Sequence, residues 1–209
     1  MQSIIYRYPL IYDWSIRFLY FDGLKILKDI IGKNRRVFEP ACGYGRMKNY
    51  MYPDCQYAGI DLNHRFIRYG QRKNRDIRWG NVLDAQYYRS ADTILLCDIL
   101  HHLEKNDIRK LLNIAAQFAT EKIVIIEPTF VSIGSKKNLL SRGIGKFMAM
   151  VDFDGHNPIR SWMSKEEYRD LFLALKEENH IDDMRIRRHR KHDFVEMIVS
   201  KDRKHAGHS

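Results

Sequence analysis

At 209 residues, 44% hydrophobic and 30% charged, the chain has the make-up of a soluble globular protein able to bury a real core in one domain. No run of eighteen apolar residues occurs, which argues against a transmembrane helix, and the first ten residues do not have the pattern of a secretory leader. A net charge of +10 points to an anionic partner as readily as to a merely solvated basic surface. Three cysteines, with no C-x-x-C pair, suggest reduced thiols and a cytoplasmic location. No Cys/His cluster has metal-ligand spacing, and the adjacent His101 and His102 are expected to point apart, so no metal site is expected.

Residues 1–31 are dense in aromatics and then show helical spacing at Leu24, Leu27, Ile30 and Ile31. One or two helices capping the fold are predicted here. Most of the rings are expected to pack on the core; the other readings are a lid or a face lying on a membrane surface. Tyr6, Tyr8 and Tyr12 could bring a hydroxyl to a pocket edge.

Residues 37–46, V-F-E-P-A-C-G-Y-G-R, run from a short apolar strand ending in Glu39 into a turn built on Gly43 and Gly45. Glycines there let the backbone approach a ligand without a Cβ in the way. The turn is not a P-loop, and Lys48 stands where a dinucleotide fingerprint needs its third glycine. A second strand, Y-A-G-I-D-L at 57–62, ends in Asp61, an acid suited to the two hydroxyls of a ribose. A third, at 76–79, leads into G-N-V-L-D, where Asn81 could accept from an adenine amino group. Together these strand ends describe a nucleoside site with no grip for phosphate.

The first of these strands is predicted near 35–39, further strands near 92–97 and 122–127, and helices near 44–52, 63–73, 106–119 and 164–178. Asn106 or Asp107 is expected to cap the third of these helices, and Ser164 with Glu167 to form a capping box. The alternation argues for an α/β fold with a parallel sheet. Two strands around a turn at 191–193 follow, and 201–209 are expected to be a disordered tail. Residues 129–163, broken by four glycines, have the length of a lid or binding loop.

In this order the motifs resemble those of the class I S-adenosylmethionine-dependent methyltransferases. V-F-E-P-A-C-G-Y-G is similar to their first motif, with Ala41 in place of the first glycine, and Asp61 matches the ribose acid. Asn81 falls where an adenine-contacting acid usually lies; 91–103 and 122–128 resemble the fourth- and fifth-strand motifs. The resemblance implies one domain over 1–200: a Rossmann-like, doubly wound, mostly parallel seven-stranded sheet with a C-terminal antiparallel hairpin and an N-terminal helical cap. It implies S-adenosyl-L-methionine as cofactor, held by Glu39, Ala41, Gly43, Gly45, Arg46, Asp61, Leu62, Asn81, Val82, Cys97 and Asp98. The 129–163 segment and the N-terminal extension would shape the acceptor pocket.

Methyl transfer from such a cofactor needs alignment and exclusion of water more than a strong base. The candidates for deprotonating the acceptor are His102, Asp152 and His156, with Asp98, Glu127 and Asp154 nearby in the motif order. Each has a plainer reading. His102 belongs to a helix-start element, Glu127 can satisfy backbone donors at a strand end, and Asp152 and Asp154 sit among turn formers. A small-molecule or lipid-like acceptor is the expected substrate, with peripheral membrane contact open. The alternatives are RNA, suggested by basic clusters at 65–78 and 185–191, and a binding protein without catalysis. In R-I-R-R-H-R the charges could equally protect an edge strand. An Asn- or Asp-Pro-Pro-aromatic motif would favour base amines, but C-D-I-L stands in its place.

Overall fold

A computed structural model describes residues 24, 26–128, 165–178, 181–189 and 192–200. Seven strands form one sheet: β1 (Arg36–Pro40), β2 (Gln56–Asp61), β3 (Asp76–Trp79), β4 (Ala91–Cys97), β5 (Ala119–Pro128), β6 (Ile181–His189) and β7 (His192–Val199). Their order across the sheet is β3-β2-β1-β4-β5-β7-β6. The first five run parallel, and β7 is antiparallel to both β5 and β6. Among the described residues four helices accompany them: α1 (Ile26–Ile31), α2 (His64–Gln71), α3 (Lys105–Phe118) and α4 (Lys165–Glu177).

The central strands read as continuous apolar runs because both faces are covered. Leu95, Cys97, Val124 and Ile126 pack on one face with Leu27, Ile30 and Ile31 of α1 and Ile67 of α2. Ile94, Leu96, Ile123 and Ile125 pack on the other with Leu111, Leu112 and Ala115 of α3 and Tyr168 of α4. That alternation within β4 and β5 is the doubly wound fold expressed residue by residue. The mostly parallel sheet, the C-terminal hairpin and β6 at an edge are all as the sequence implied.

The local differences have physical causes. The helix expected over 44–52 is only a five-residue 3-10 helix, Arg46–Tyr50. Gly45 enters it in the left-handed region with no side-chain cap, and Pro53 biases the preceding residue away from helix. Glu104, not Asn106 or Asp107, occupies the N-cap of α3, with no side-chain capping bond. Pairing of the last hairpin already includes His189 with His192, so β7 begins inside the 191–193 stretch expected to be the turn. Of the expected N-terminal cap, α1 is described. Tyr6, Tyr8, Tyr12, the 129–163 segment, Ser164 of the capping box and the 201–209 tail lie outside the described residues.

Candidate active site

Strand order reverses at β1, flanked by β2 on one side and β4 on the other, and α/β sheets place ligand crevices at the C-terminal ends of such strands. The turn after β1 lies there. Ala41, Gly43 and Gly45 have φ of 59°, 56° and 76°, so every second residue is left-handed. The turn closes through Gly45 N donating to Cys42 O at 2.8 Å and leans on β2 through Cys42 N to Ile60 O at 2.9 Å. Gly59 permits this approach: a Cβ there would lie 2.7 Å from Cys42 Cβ and 2.8 Å from Glu39 O. A Cβ on Gly45 would fall 3.0 Å from Arg75 Cδ and 3.2 Å from the Tyr57 ring.

Asp61 ends β2 with both carboxylate oxygens engaged by backbone. Gly43 N donates to Oδ2 at 2.8 Å and Asn63 N to Oδ1 at 2.7 Å. Burial raises its pKa above the ordinary carboxylate value, and those two donors offset the rise only in part. The carboxylate is thus fixed in place, and each oxygen keeps lone-pair capacity for a further donor. Leu62 beside it is 54% exposed, an apolar surface at the crevice. Asn81 is exposed, with Oδ1 accepting from Leu83 N at 3.0 Å, which orients its amide; Val82 is buried next to it.

Glu39 lies deeper than a ligand-reaching acid would suggest. It is 2% exposed, and the Tyr57 hydroxyl donates to its Oε2. Burial lifts its pKa to about 8, against the pull of that hydroxyl, so the carboxyl is largely protonated at neutral pH. Burial also pushes the Cys42 and Cys97 thiols well up, leaving them neutral and poorly nucleophilic. Arg46 is buried under the turn, its Nη2 donating to the Tyr50 hydroxyl at 2.7 Å and its guanidinium 5.4 Å from that ring. Its charge partly offsets the lift on Cys97.

At the end of β4, Asp98 adopts a φ of 53° and donates its N–H to Ile126 O at 3.0 Å. The segment then tightens into a 3-10 helix over Leu100–His102. Glu127, at the end of β5, holds this turn: Oε1 accepts from Ile99 N at 2.9 Å and Leu100 N at 2.7 Å. Its Oε2 lies 2.6 Å from Nδ1 of His101, which is buried. The strand-end acid therefore satisfies backbone donors, the plainer of the two roles open to it. His101 and His102 do not point apart, because the tight turn brings their rings to 4.1 Å between centroids at a 44° tilt. His102 is half-buried beside this brace.

The structure thus gathers Glu39, Ala41, Gly43, Gly45, Arg46, Asp61, Leu62, Asn81, Val82, Cys97, Asp98 and His102 at one end of the sheet. Asp152 and His156, with Asp154, lie outside the described residues. Sequence reasoning missed Tyr57, Gly59 and His101. Tyr57 and His101 matter through partners 18 and 26 residues away, which no local pattern reports. Among the described residues no group of three or more His, Cys, Asp or Glu could hold a metal ion, and no helix is long and apolar enough to cross a membrane.

Comparison with known proteins agrees with this layout. Residues 38–120 match the methyltransferase domain family, while no curated protein sequence matches the chain. An O-methyltransferase family protein from Burkholderia thailandensis superposes with a TM-score of 0.64 at 15% identity, over 91% of this chain and 59% of that one. Human N-acetylserotonin methyltransferase, in complex with S-adenosylmethionine, gives 0.69 at 14%, over 94% and 58%. Magnesium protoporphyrin IX methyltransferase from Synechocystis, with bound S-adenosylhomocysteine, gives 0.53 at 14%, over 90% and 81%. The chain therefore spans less than three fifths of the first two, and at these identities the likeness is one of fold. With its motif turn, strand-end acid and strand order in place, the chain matches a methyltransferase domain over residues 38–120 and has the fold of the class I S-adenosylmethionine-dependent methyltransferases.

Proposed function

We propose that this chain transfers a methyl group from S-adenosyl-L-methionine to a small-molecule or lipid-like acceptor. The observation that carries the cofactor half is the Asp61 carboxylate, locked by Gly43 N and Asn63 N with acceptor capacity to spare. In this reading Asp61 takes the two ribose hydroxyls, and the exposed face of Leu62 lies along the adenine. Asn81 and the Val82 backbone meet the adenine edge, and Cys97 and Asp98 line the crevice from β4. The left-handed turn over Ala41, Gly43 and Gly45 receives the amino-acid tail. A cationic ammonium near Glu39 would draw its carboxyl into the ionised form, so binding releases a proton near neutral pH.

When bound, the sulfonium supplies the reactive methyl. The chain's own part is to orient the acceptor, exclude water and take up a proton. His102 is our choice of acceptor for that proton, with the Glu127–His101 brace fixing the turn that carries it. Asp152 and His156, from the segment we assign to the acceptor pocket, are the other candidates. A small acceptor is favoured because C-D-I-L replaces the motif expected for base amines. The names of two proteins of this fold, which act on N-acetylserotonin and magnesium protoporphyrin IX, point the same way.

The test is a labelled-methyl assay over cell extracts fractionated into RNA, lipid and small molecules. Label should enter the lipid or small-molecule fraction. Label confined to RNA would overturn the acceptor class, and calorimetry showing no binding of S-adenosylhomocysteine would overturn the cofactor as well.

A further inference from the structure

Several arginines among the described residues are neutralised by acids: Arg36 by Asp92 at 2.7 Å, Arg89 by Asp76 at 2.6 Å, Arg109 by Glu178 at 2.5 Å, and Arg35 by Glu121 at 3.0 Å. On β6, Arg187 lies 3.3 Å from Glu196 and Arg185 3.3 Å from Asp183. The β6 cluster is thus partly spent within the fold. On α2 the situation is different. Arg65 and Arg68 are exposed there, as is Arg72 at its C-cap, and among the described residues no acid pairs with them. Asp76, at the start of β3, is paired with Arg89.

Spacing of three and four residues puts Arg65, Arg68 and Arg72 on one stripe, about 10 Å long at helical rise. The stripe begins beside an aromatic stack. Trp79 at the end of β3 is 40% exposed and lies parallel to the exposed His64 ring, at 5.8 Å and 8°, with Tyr87 edge-on at 5.4 Å. Further along, Lys73 sits 5.6 Å over the half-buried Tyr69 ring. The apolar residues of α2, Phe66, Ile67 and Gly70, are buried against the sheet. A helix with no apolar residue on its outer stripe has nothing to insert into a bilayer. Free guanidinium groups in a row beside flat, exposed rings suit alternating phosphates and bases.

We propose that the outer face of α2, with the His64–Trp79 stack, is a docking surface for single-stranded RNA. Three arginines meet successive phosphates and a base stacks on the exposed aromatic pair. Docking here goes beyond methyl transfer and does not depend on it, since β3 is a sheet edge and β4, which His102 follows, lies beyond β2 and β1.

The test is fluorescence anisotropy of a labelled twelve-nucleotide oligouridylate against the full chain between 50 and 200 mM salt. The triple variant Arg65→Gln, Arg68→Gln, Arg72→Gln should flatten the log-affinity against log-salt slope by about 2, from three phosphate contacts on a single strand. Affinity at low salt should fall at least about tenfold. A charge-matched control, Lys105→Gln, Lys110→Gln, Lys176→Gln, should leave both close to wild type. Trp79→Ala should weaken binding roughly 5- to 100-fold with the slope unchanged, as loss of a stacking ring does. S-adenosylhomocysteine titrated into each variant separates this surface from the cofactor site and reports folding. The proposal is overturned if the control loses as much as the α2 triple variant, or if oligouridylate does not bind at 50 mM salt. Binding of phosphatidylserine vesicles through the same arginines, without binding of RNA, also overturns it.

Discussion

Ala41 stands in the left-handed region, at φ 59°, where a Cβ is penalised by about 1–2 kcal/mol. Glycine would remove that strain but admit more freedom to the unfolded chain, worth about 0.4–1 kcal/mol in the other direction. Ala41→Gly should therefore stabilise the protein by about 0.5–1 kcal/mol in urea melts, and a net loss of stability would contradict the strained-turn reading. Glu39 gives a pH prediction. Its folded pKa of about 8 lies above the ordinary value of 4.5, so the folded chain holds a proton that the unfolded chain has released. The stabilising contribution is complete below pH 4.5 and lost as pH rises towards 8. Glu39→Gln keeps an acceptor for the Tyr57 hydroxyl but cannot ionise. Melting temperature should decline for wild type from pH 5 to 8 and decline less for the variant. Parallel curves would show that Glu39 is not the group responsible.

Among the elements, the approach of the β1 turn to β2 is the tightest constraint on the site. A Cβ on Gly59 meets the Glu39 carbonyl at 2.8 Å, and backbone cannot swing aside as a long side chain can. Gly59→Ala should therefore displace the turn, costing on the order of 2 kcal/mol or more of stability and weakening cofactor binding at least tenfold. Calorimetry with S-adenosylhomocysteine reads the second effect, and wild-type affinity would refute the close packing. Glu127 sets the matching constraint on β4, where it serves Ile99 N, Leu100 N and His101 at once. Glu127→Ala strands these partly buried donors and should cost about 2–4 kcal/mol; Glu127→Gln, which can still accept from both backbone groups, should cost less. Equal costs would mean that the backbone bonds are not what matters. The sequence showed each element of this arrangement, since the apolar runs and strand-end acids are local patterns. It did not show that Gly59 is a packing glycine or that Glu127 braces His101. Those roles come from register across strands 20 and 28 residues apart in sequence.

At the scale of the whole molecule, alternation of strand and helix made the parallel sheet legible, and the final hairpin followed from the motif order. The sides of the sheet were not legible: Lys122 on β5 reaches both the Ile30 carbonyl of α1 and Glu196 of β7, a tie assembled only in three dimensions. This connectivity bears on ligand linkage, because the cofactor crevice draws on β1, β2 and β4, all paired within the one sheet. A ligand that binds only the folded chain stabilises all of it, by about 2.7 kcal/mol at a hundredfold excess over Kd. For a protein of this size the melting temperature should then rise by about 5–10 °C with S-adenosylhomocysteine. Asp61→Ala removes the ribose acceptor and also strands Gly43 N and Asn63 N. Its melting temperature without ligand should fall modestly, by the cost of those two donors. Its rise with ligand should vanish, while the far-ultraviolet circular dichroism stays that of a folded α/β protein. The two effects separate because one is measured without ligand and the other as a difference. A variant that keeps the full ligand-induced rise would show that Asp61 braces the turn and takes no part in holding the nucleoside.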